Sequence, residues 1–447
     1  MPIGYAGRPI VEPCLVLRRR AAHGRRGMSN RGISRGGHLL AADRGFATGG
    51  GVAARLFARG FSPVLDRIDR GLLEGGLDAT LPNGRRRILG NRAPGPMAVV
   101  DLRSWRALAR LATSGSVGWY KAWALGEWAS PDPVPLFDLF MRNGASLGRV
   151  ARAKGLWRGV NRLAHALRDN SLARARHNIA FHYDLGNDFY RAWLDESMTY
   201  SSAMFAPGDT LERAQERKIR ALLDRLDLRP GQRLLEIGCG WGSLAEIAAR
   251  EHGVEVVGLT LSEEQKAYAD ARIAAAGLSD RVTISLTDYR AVTDRFHAVA
   301  SVEMVEAVGQ QWWPAFVASI DRALLPGGRA ALQLISIREE LFDAYASSAD
   351  FIQTYIFPGG MLVSEDRLRH LCEGAGLRWT DRTGFGLAYA ETLRQWRRRY
   401  DEAVRDGRLP AGFDNRFHAL WRYYLMYCEG GFRGGGIDVA QVTLHKR

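Results

Sequence analysis

The feature that most restricts the fold is a strand-like run that ends in closely spaced glycines. Residues 234–237 read Leu-Leu-Glu-Ile and are followed by Gly238, Gly240 and Gly242. Glycine lets the backbone adopt positive φ and approach a ligand closely. A glycine-rich turn between a first strand and its helix is where α/β folds bind nucleotide-containing ligands. The run therefore predicts the first strand–turn–helix unit of such a fold.

Strands and helices alternate along the chain after about residue 215. Strand-like runs begin with RLLEIG and continue through VEVVGLT, RVTISLTD and FHAVASVEM to GGRAALQLISI. Segments with helical apolar spacing, such as SLAEIAAREH and EEQKAYADARIAAA, separate them. This alternation predicts a parallel sheet covered on both faces, an α/β doubly wound (Rossmann-like) domain.

The glycine spacing favours S-adenosylmethionine over a dinucleotide. It is G-x-G-x-G instead of the dinucleotide G-x-G-x-x-G, and Glu236 stands two residues before the first glycine. We therefore predict a class I methyltransferase domain. The turn residues predicted to hold the cofactor are Glu236, Gly238, Cys239, Gly240, Trp241 and Gly242.

Polar groups follow the next two predicted strands. At these points the fold presents side chains to the ribose hydroxyls and to the adenine ring. Asp288 can accept a hydrogen bond from the exocyclic amine of that ring. The candidates are Thr260, Leu261, Ser262 and Gln265 after the second strand, and Asp288 and Tyr289 after the third.

The charge is unevenly distributed. Residues 1–180 hold 30 Lys and Arg against 11 Asp and Glu, whereas the remainder is slightly acidic. A basic half indicates an anionic partner, and no nucleic-acid motif accompanies the arginines, so we expect anionic lipid and no nucleic acid. The four cysteines lack zinc-site spacing, and no metal is expected.

Composition and periodicity divide the chain into four parts. Residues 1–50, rich in Gly and Arg, are predicted to be a disordered basic tail. Residues 51–145 predict a small α+β domain, with a hairpin around Asn83-Gly84 and a strand running into a helix. Residues 146–180 predict a basic helical connector, and 181–447 the methyltransferase domain.

Several long motifs in fixed order resemble the cyclopropane-fatty-acyl-phospholipid synthase family, which includes the mycolic acid cyclopropane synthases. The resemblance spans about 180–447, and the small domain before it resembles the family's N-terminal lipid-binding domain more loosely. The motifs are HYDLGNDFYRAWLDESMTYSSAMF at 182–205, LEIGCGWG, GLTLSEEQ, VEMVEAVG at 302–309, YIFPGG at 355–360 and the terminal RYYLMYCEGGFRGGGIDVAQV.

The resemblance implies methylene transfer from S-adenosylmethionine to a cis double bond in a phospholipid acyl chain, giving a cyclopropane fatty acid. Tyr200 and Ser201 would contact the methionine part of the cofactor. In ring-forming relatives the base is a bicarbonate held by a cysteine, a glutamate, a histidine and a tyrosine. Here Glu306 and Tyr355 match, but Ser202 replaces the cysteine and Gln333 the histidine.

These replacements leave the fate of the proton open. Glutamine exchanges no proton near neutral pH, so a methyl- or methylene-branched chain is an alternative product. Cys428 aligns with a cysteine once favoured as catalytic in the family. A carbocation intermediate needs a dry pocket with aromatic faces and negative charge. The candidates for that pocket are Glu306, Tyr355, Glu303, Trp312, Trp313 and Phe357.

The leading hypothesis is a cytoplasmic enzyme, peripheral on the inner face of the membrane, that modifies unsaturated phospholipids in an anionic surface; a homodimer is left open. Two other hypotheses stay open. One is a methyltransferase of a soluble small molecule, which leaves the basic half unexplained. The other is a lipid-binding protein without catalysis, which leaves the cofactor turn without a use.

Overall fold

The computed structural model describes residues 35–40, 61–148, 185–348 and 350–447, and these contain two β-sheets. The smaller sheet consists of β1 (Gly76–Thr80), β2 (Arg86–Gly90), β3 (Met97–Leu102) and β4 (Trp128–Ala129). The larger sheet consists of β5 (Arg233–Ile237), β6 (Glu255–Leu259), β7 (Val282–Ser285), β8 (Phe296–Val302), β9 (Leu324–Ile337), β10 (Leu377–Gly384) and β11 (Ile437–Lys446).

The larger sheet has seven strands in the order β10-β11-β9-β8-β5-β6-β7. Strands β5 to β9 run parallel to one another, and β11 lies antiparallel to both β9 and β10. The predicted α/β sheet is confirmed, with an antiparallel pair added at one edge. Because the loops after parallel strands meet at one edge, this topology gathers the segments that follow β5, β6, β7 and β8.

Helices connect the strands of both sheets. They are α1 (Gly37–Leu40), α2 (Ser62–Gly71), α3 (Arg106–Ala124), α4 (Val134–Arg142), α5 (Gly144–Leu147), α6 (Asn187–Arg191), α7 (Leu211–Asp224), α8 (Ser243–His252), α9 (Glu263–Ala275), α10 (Trp313–Ala323), α11 (Glu339–Ala346), α12 (Phe351–Tyr355), α13 (Glu365–Gly374), α14 (Gly386–Arg405) and α15 (Asn415–Arg433). Short 3-10 turns lie at Tyr289–Ala291, Val305–Ala307 and Gln310–Trp312.

The two faces of the larger sheet pack against different helices. Along β8, Ala298 and Ala300 belong to the core cluster that includes α7, α8 and α9, while Val299 belongs to the cluster that includes α10. Alternate side chains of a strand point to opposite faces, so both faces are covered. The strands are therefore buried and apolar, as the sequence predicts.

The smaller sheet carries the predicted hairpin, because β1 and β2 pair antiparallel across Asn83-Gly84. Helix α4, which follows this sheet, packs tightly against α15. A Cβ on Gly430 of α15 would lie 2.4 Å from the Cβ of Phe137, so only glycine permits this approach. The contact brings α4 to one wall of the cavity described below.

The described residues fall in one compact unit. Residues 149–180 of the predicted connector and most of the predicted 1–50 tail lie outside them, so the division into domains stays a prediction. No helix among these residues has both the length and the apolar character to cross a bilayer.

Candidate active site

A cavity of about 570 Å³ lies at the carboxyl edge of the parallel strands. The segments after β5, β6, β7 and β8 line one part of it, and residues of α3, α4, α14 and α15 line another. Most of its wall is apolar or aromatic. The cavity thus joins the predicted cofactor turn to a space that suits a hydrocarbon chain.

The glycine turn has the conformation that its sequence predicts. Gly238, Gly240 and Gly242 have φ of 85°, 52° and 85°, values at which side-chain-bearing residues are strained. Gly238 and Gly240 line the cavity, and a Cβ on Gly240 would meet no atom within 4 Å. Gly242 instead begins α8 and faces Ala269. The backbone of the turn is therefore open to a ligand.

Glu236, at the end of β5, lines the cavity and is 4% exposed. Its Oε2 has no hydrogen-bond donor among the described residues. Burial raises the pKa of Glu236 to about 8, opposed by the charge of Lys218. A buried carboxyl oxygen without a donor fits a ligand that brings hydroxyl or ammonium groups, as S-adenosylmethionine does.

The segments after β6 and β7 contribute unequally. Thr260, Leu261 and Gln265 line the cavity, but Ser262 caps α9 by accepting from the backbone N–H of Gln265 at 3.2 Å. We therefore assign Ser262 to the helix cap instead of the cofactor, since its oxygen is used there.

Asp288 and Tyr289 both line the cavity, in the order that the sequence predicts. Asp288 makes a two-bond ion pair with Arg290, with Nε–Oδ1 and Nη2–Oδ2 distances of 2.9 and 2.7 Å. The hydroxyl of Tyr289 is buried without a partner among the described residues. Burial raises the pKa of Tyr289 to about 12, so this hydroxyl remains a donor.

Tyr200 and Ser201 also line the cavity. The Tyr200 and Tyr424 hydroxyls lie 2.8 Å apart, and Ser201 Oγ accepts from Lys218 Nζ at 2.5 Å. Lys218 is 1% exposed, and burial lowers its pKa to about 8 against the attraction of Glu303, Asp195 and Glu236. Lys218 is thus a buried cation among carboxyl groups.

Glu303, on the cavity wall, is held by an unusual backbone conformation and by three hydrogen bonds. Its φ is 48°, a conformation that costs a non-glycine residue about 1–3 kcal/mol. Its Oε1 accepts from the backbone N–H of Ser202 at 2.9 Å and from Gln333 Nε2 at 2.8 Å. Its Oε2 accepts from the Tyr389 hydroxyl at 2.7 Å. Three donors therefore fix one carboxylate at the cavity.

Ser202 and Gln333 lie behind that carboxylate and do not line the cavity. Both are fully buried, and the Ser202 hydroxyl donates to the carbonyl of Ala203 at 3.0 Å. Gln441 Nε2 donates to Gln333 Oε1 at 3.1 Å, which orients the amide with its N–H₂ toward Glu303. The resemblance implies that Ser202 and Gln333 surround a bound bicarbonate. In the structure the backbone N–H of Ser202 and the amide of Gln333 donate to Glu303.

Glu306 lines the cavity beside Glu303 but in a different setting. Its Oε1 accepts from the backbone N–H of Ile335, and its Oε2 has no partner among the described residues. Burial and the charge of Glu303 raise the pKa of Glu306 to about 8. Burial also raises the pKa of Glu303, but Lys218 and three hydrogen-bond donors oppose that rise. With a pKa of about 8, Glu306 carries a proton at neutral pH, whereas the charge of Lys218 and the three donors favour the ionised form of Glu303.

The two glutamates do not share a helical face. A 3-10 turn spans only Val305–Ala307, and Glu303 precedes it in the positive-φ conformation. The three-residue spacing of the two glutamates is therefore not the spacing of one helical face. The backbone turn, and not helical periodicity, directs both carboxyl groups to the cavity.

The remaining candidates are divided between the cavity and the core. Cys428 and Phe357 line the cavity, whereas Tyr355, Trp312 and Trp313 do not. Tyr355 is fully buried and packs edge-on against Tyr120, with ring centroids 4.8 Å apart. Burial raises the pKa of the Cys428 thiol, so it is not a thiolate nucleophile at neutral pH.

Sequence reasoning missed Lys218, Tyr389, Tyr424 and Phe432, all of which line the cavity. Each lies on a helix whose apolar spacing reads as core packing. Tyr389 and Phe432 stack at 4.5 Å, and neither lies in a strand-end segment, where the fold presents its ligands. The sequence offered one signal for these residues: Lys218 occupies a position on the core-facing side of the amphipathic helix α7.

Comparisons with known proteins agree with this geometry. The family described as mycolic acid cyclopropane synthetase matches residues 170–442. Tuberculostearic acid methyltransferase UfaA1 of Mycobacterium tuberculosis is 41% identical over 349 residues, 76% of this chain and 81% of the relative. Cyclopropane-fatty-acyl-phospholipid synthase of Escherichia coli is 33% identical over 341 residues, 75% of this chain and 85% of the relative.

A solved structure shares the fold. The mycolic acid cyclopropane synthase CmaA1, complexed with SAH and CTAB, superposes with a TM-score of 0.57 at 31% identity. The match covers 61% of this chain and 98% of that one. The α/β methyltransferase fold and S-adenosylmethionine as methyl donor are thereby confirmed.

Proposed function

The chain belongs to the mycolic acid cyclopropane synthetase family and is an S-adenosylmethionine-dependent methyltransferase, and from this we propose that it methylates the double bond of an unsaturated phospholipid acyl chain. We further propose that Glu303 is the base that completes the reaction. The product favoured is a methylene-branched chain, with the cyclopropane as the second candidate.

The observation that carries the proposal is the carboxylate of Glu303 at the cavity wall. The resemblance places Ser202 and Gln333 where ring-forming relatives hold bicarbonate, and here the backbone N–H of Ser202 and the side-chain amide of Gln333 donate to Glu303. With these donors engaged, a built-in carboxylate takes the place of a bound anion. Turnover is therefore expected to be the same in carbonate-free buffer as in buffer with added bicarbonate.

The cavity residues support each step of the chemistry. When bound, S-adenosylmethionine supplies an electrophilic methyl group. The π electrons of the acyl chain form the new C–C bond, the C–S pair stays on sulfur, and positive charge is left on the chain. The aromatic rings of Tyr200, Tyr424, Phe357 and Phe432 line the cavity and suit a cation that must be kept from water.

Glu303 then accepts a proton from the new methyl group, and the electrons of that C–H bond determine the product. If they close onto the cationic carbon, a cyclopropane forms. If a hydride first shifts from the methyl-bearing carbon to the cationic carbon, the C–H electrons form a double bond to the new carbon and give a methylene branch. Neither route needs an external oxidant or reductant.

Similarity to relatives supports both products to different extents. The tuberculostearic acid methyltransferase is 41% identical and the cyclopropane synthase of Escherichia coli 33%. The first comparison favours the branched product and the second favours the ring. The basic N-terminal half suits an anionic membrane surface, and we propose a peripheral location on the inner face of the membrane.

Product analysis tests the proposal. The purified protein is incubated with S-adenosylmethionine and vesicles of dioleoylphosphatidylglycerol, and the acyl chains are analysed by mass spectrometry and proton NMR. We expect chains heavier by one CH₂ group, with alkene methylene signals for the branched product or strongly upfield signals for the ring. Unchanged chains, with cofactor binding intact by calorimetry, would overturn the proposal.

A further inference from the structure

A surface cleft adjoins the catalytic cavity. The side chains of Ile337, Phe432 and Ile437 line both spaces, so three apolar residues form the wall that they share. Leu387, on the outer part of the cleft, is 71% exposed. The cleft and the cavity therefore meet at an apolar boundary, and Phe432 of that boundary stacks on Tyr389, which donates to Glu303.

Most charged groups in the cleft neutralise one another. Arg382 pairs with Glu365 at 2.6 Å and with Asp438 at 2.7 Å. Glu339, also in the cleft, pairs with Arg367 at 3.3 Å. These groups are committed to the fold and leave little net charge for a ligand.

Arg338 differs from these groups. It follows the last residue of β9, and its backbone N–H donates to the carbonyl of Gly436 at 3.0 Å. Its guanidinium Nε and Nη2 find no hydrogen-bond acceptor among the described residues. Glu340 lies 3.3 Å from Nε without hydrogen-bond geometry and is 55% exposed, so solvent weakens this pair.

Arg142 brings a second guanidinium to the same cleft from α4. It forms ion pairs with Asp138 at 3.3 Å and with Glu74 at 3.6 Å, and its Nη2 also donates to the carbonyl of Arg433 at 3.3 Å, which places it beside the end of α15. The cleft is thus lined by two arginines, and two guanidinium nitrogens of Arg338 lack an acceptor among the described residues. Guanidinium groups bind phosphate through paired hydrogen bonds.

We propose that this cleft binds the phosphate group of the phospholipid substrate, with Arg338 as the principal ligand and Arg142 beside it, while the acyl chain passes the Ile337–Phe432–Ile437 wall into the cavity. This inference rests on the proposed function, because it assigns the headgroup of the same substrate. It predicts that a diacyl lipid without phosphate is a poorer substrate.

Two lipids in mixed detergent micelles test the assignment. Dioleoylphosphatidylglycerol carries the phosphate and dioleoylglycerol lacks it, while the acyl chains are identical. Arg338→Gln is expected to raise KM for the phospholipid about tenfold, the cost of losing charge-assisted hydrogen bonds. The ratio of the two KM values then moves toward one. Arg405→Gln, which removes an equal charge from a residue that is 69% exposed, is the matched control and leaves the ratio unchanged.

The outcomes separate the two proposals. An Arg338→Gln variant with an unchanged KM ratio would overturn the headgroup assignment while leaving the proposed function intact. If wild-type protein methylates neither lipid, the proposed function fails, and binding of the same micelles still tests Arg338. Competition by inorganic phosphate that is lost in the variant, without any preference between the two lipids, would assign the site to free phosphate and overturn the headgroup assignment.

Discussion

Glu303 has a backbone conformation that side-chain-bearing residues seldom adopt, with φ of 48°. Such strain persists where the surroundings hold it, and here Ser202, Gln333 and Tyr389 all donate to the carboxylate. The neighbouring Glu306 has one donor and is mostly protonated at neutral pH. The two carboxyl groups of one cavity thus have different surroundings, and the donors around Glu303 favour its ionised form.

Glu303→Gln is expected to lower product formation at least about a hundredfold, because a general base contributes that much or more. Cofactor affinity, measured by calorimetry, should change little, since Glu303 is not in the glycine turn. Glu306→Gln is the matched control. It mimics the protonated acid, keeping an acceptor for Ile335 and a donor toward the cavity, and should cost less than about tenfold. Equal losses in the two variants would contradict the assignment of the base.

Tyr389→Phe removes one donor to Glu303 and leaves the ring stacked on Phe432. A carboxylate with fewer donors holds its proton more tightly, so the pKa of Glu303 rises. Because the base must be ionised to act, activity should be lost at a higher pH as the solution is acidified. The acidic limb of the kcat–pH profile is therefore expected at higher pH in the variant. A uniform loss of activity with an unmoved profile would indicate a packing role only.

The turn between β5 and α8 shows which element the sequence could predict. Its glycines encode the positive φ values locally, and the strand before it is apolar at Leu234, Leu235 and Ile237. The Glu303 segment could not be predicted in this way, because its conformation depends on Ser202, Gln333 and Tyr389, which are remote in sequence. The same holds for Tyr355, whose motif suggested a place at the site but whose ring packs in the core.

Gly240→Ala tests whether the turn between β5 and α8 binds S-adenosylmethionine. The variant has a methyl group in open space at positive φ, where the cofactor is expected, and the Kd for S-adenosylmethionine should rise about tenfold. Gly277→Ala is the control, because Gly277 has φ of 69°, also meets no atom within 4 Å and follows α9, away from the cavity. Both variants should lose a few degrees in Tm, but only the first should lose cofactor affinity. Similar Kd values for the two variants would argue against the turn as the binding element.

In the whole molecule, one cavity joins the cofactor turn to aromatic side chains from α14 and α15 and to residues of α3 and α4. Periodicity predicted the sheet and the small hairpin, since both are encoded locally. It did not predict how α4 packs on α15. A helical glycine such as Gly430 permits a close approach, but the sequence does not show which helix approaches it. The shape of the substrate space is therefore a property of the fold that the motifs did not show.

The most direct test uses S-adenosylmethionine with a fully deuterated methyl group and dioleoylphosphatidylglycerol vesicles. If Glu303 removes a proton from the transferred methyl group, each modified chain keeps two of the three deuterium atoms, whether the product is a methylene branch or a ring. Mass spectrometry of the acyl chains reads this directly. Chains that keep all three deuterium atoms would show that the proton leaves from the chain instead, and would contradict the role of Glu303 proposed here.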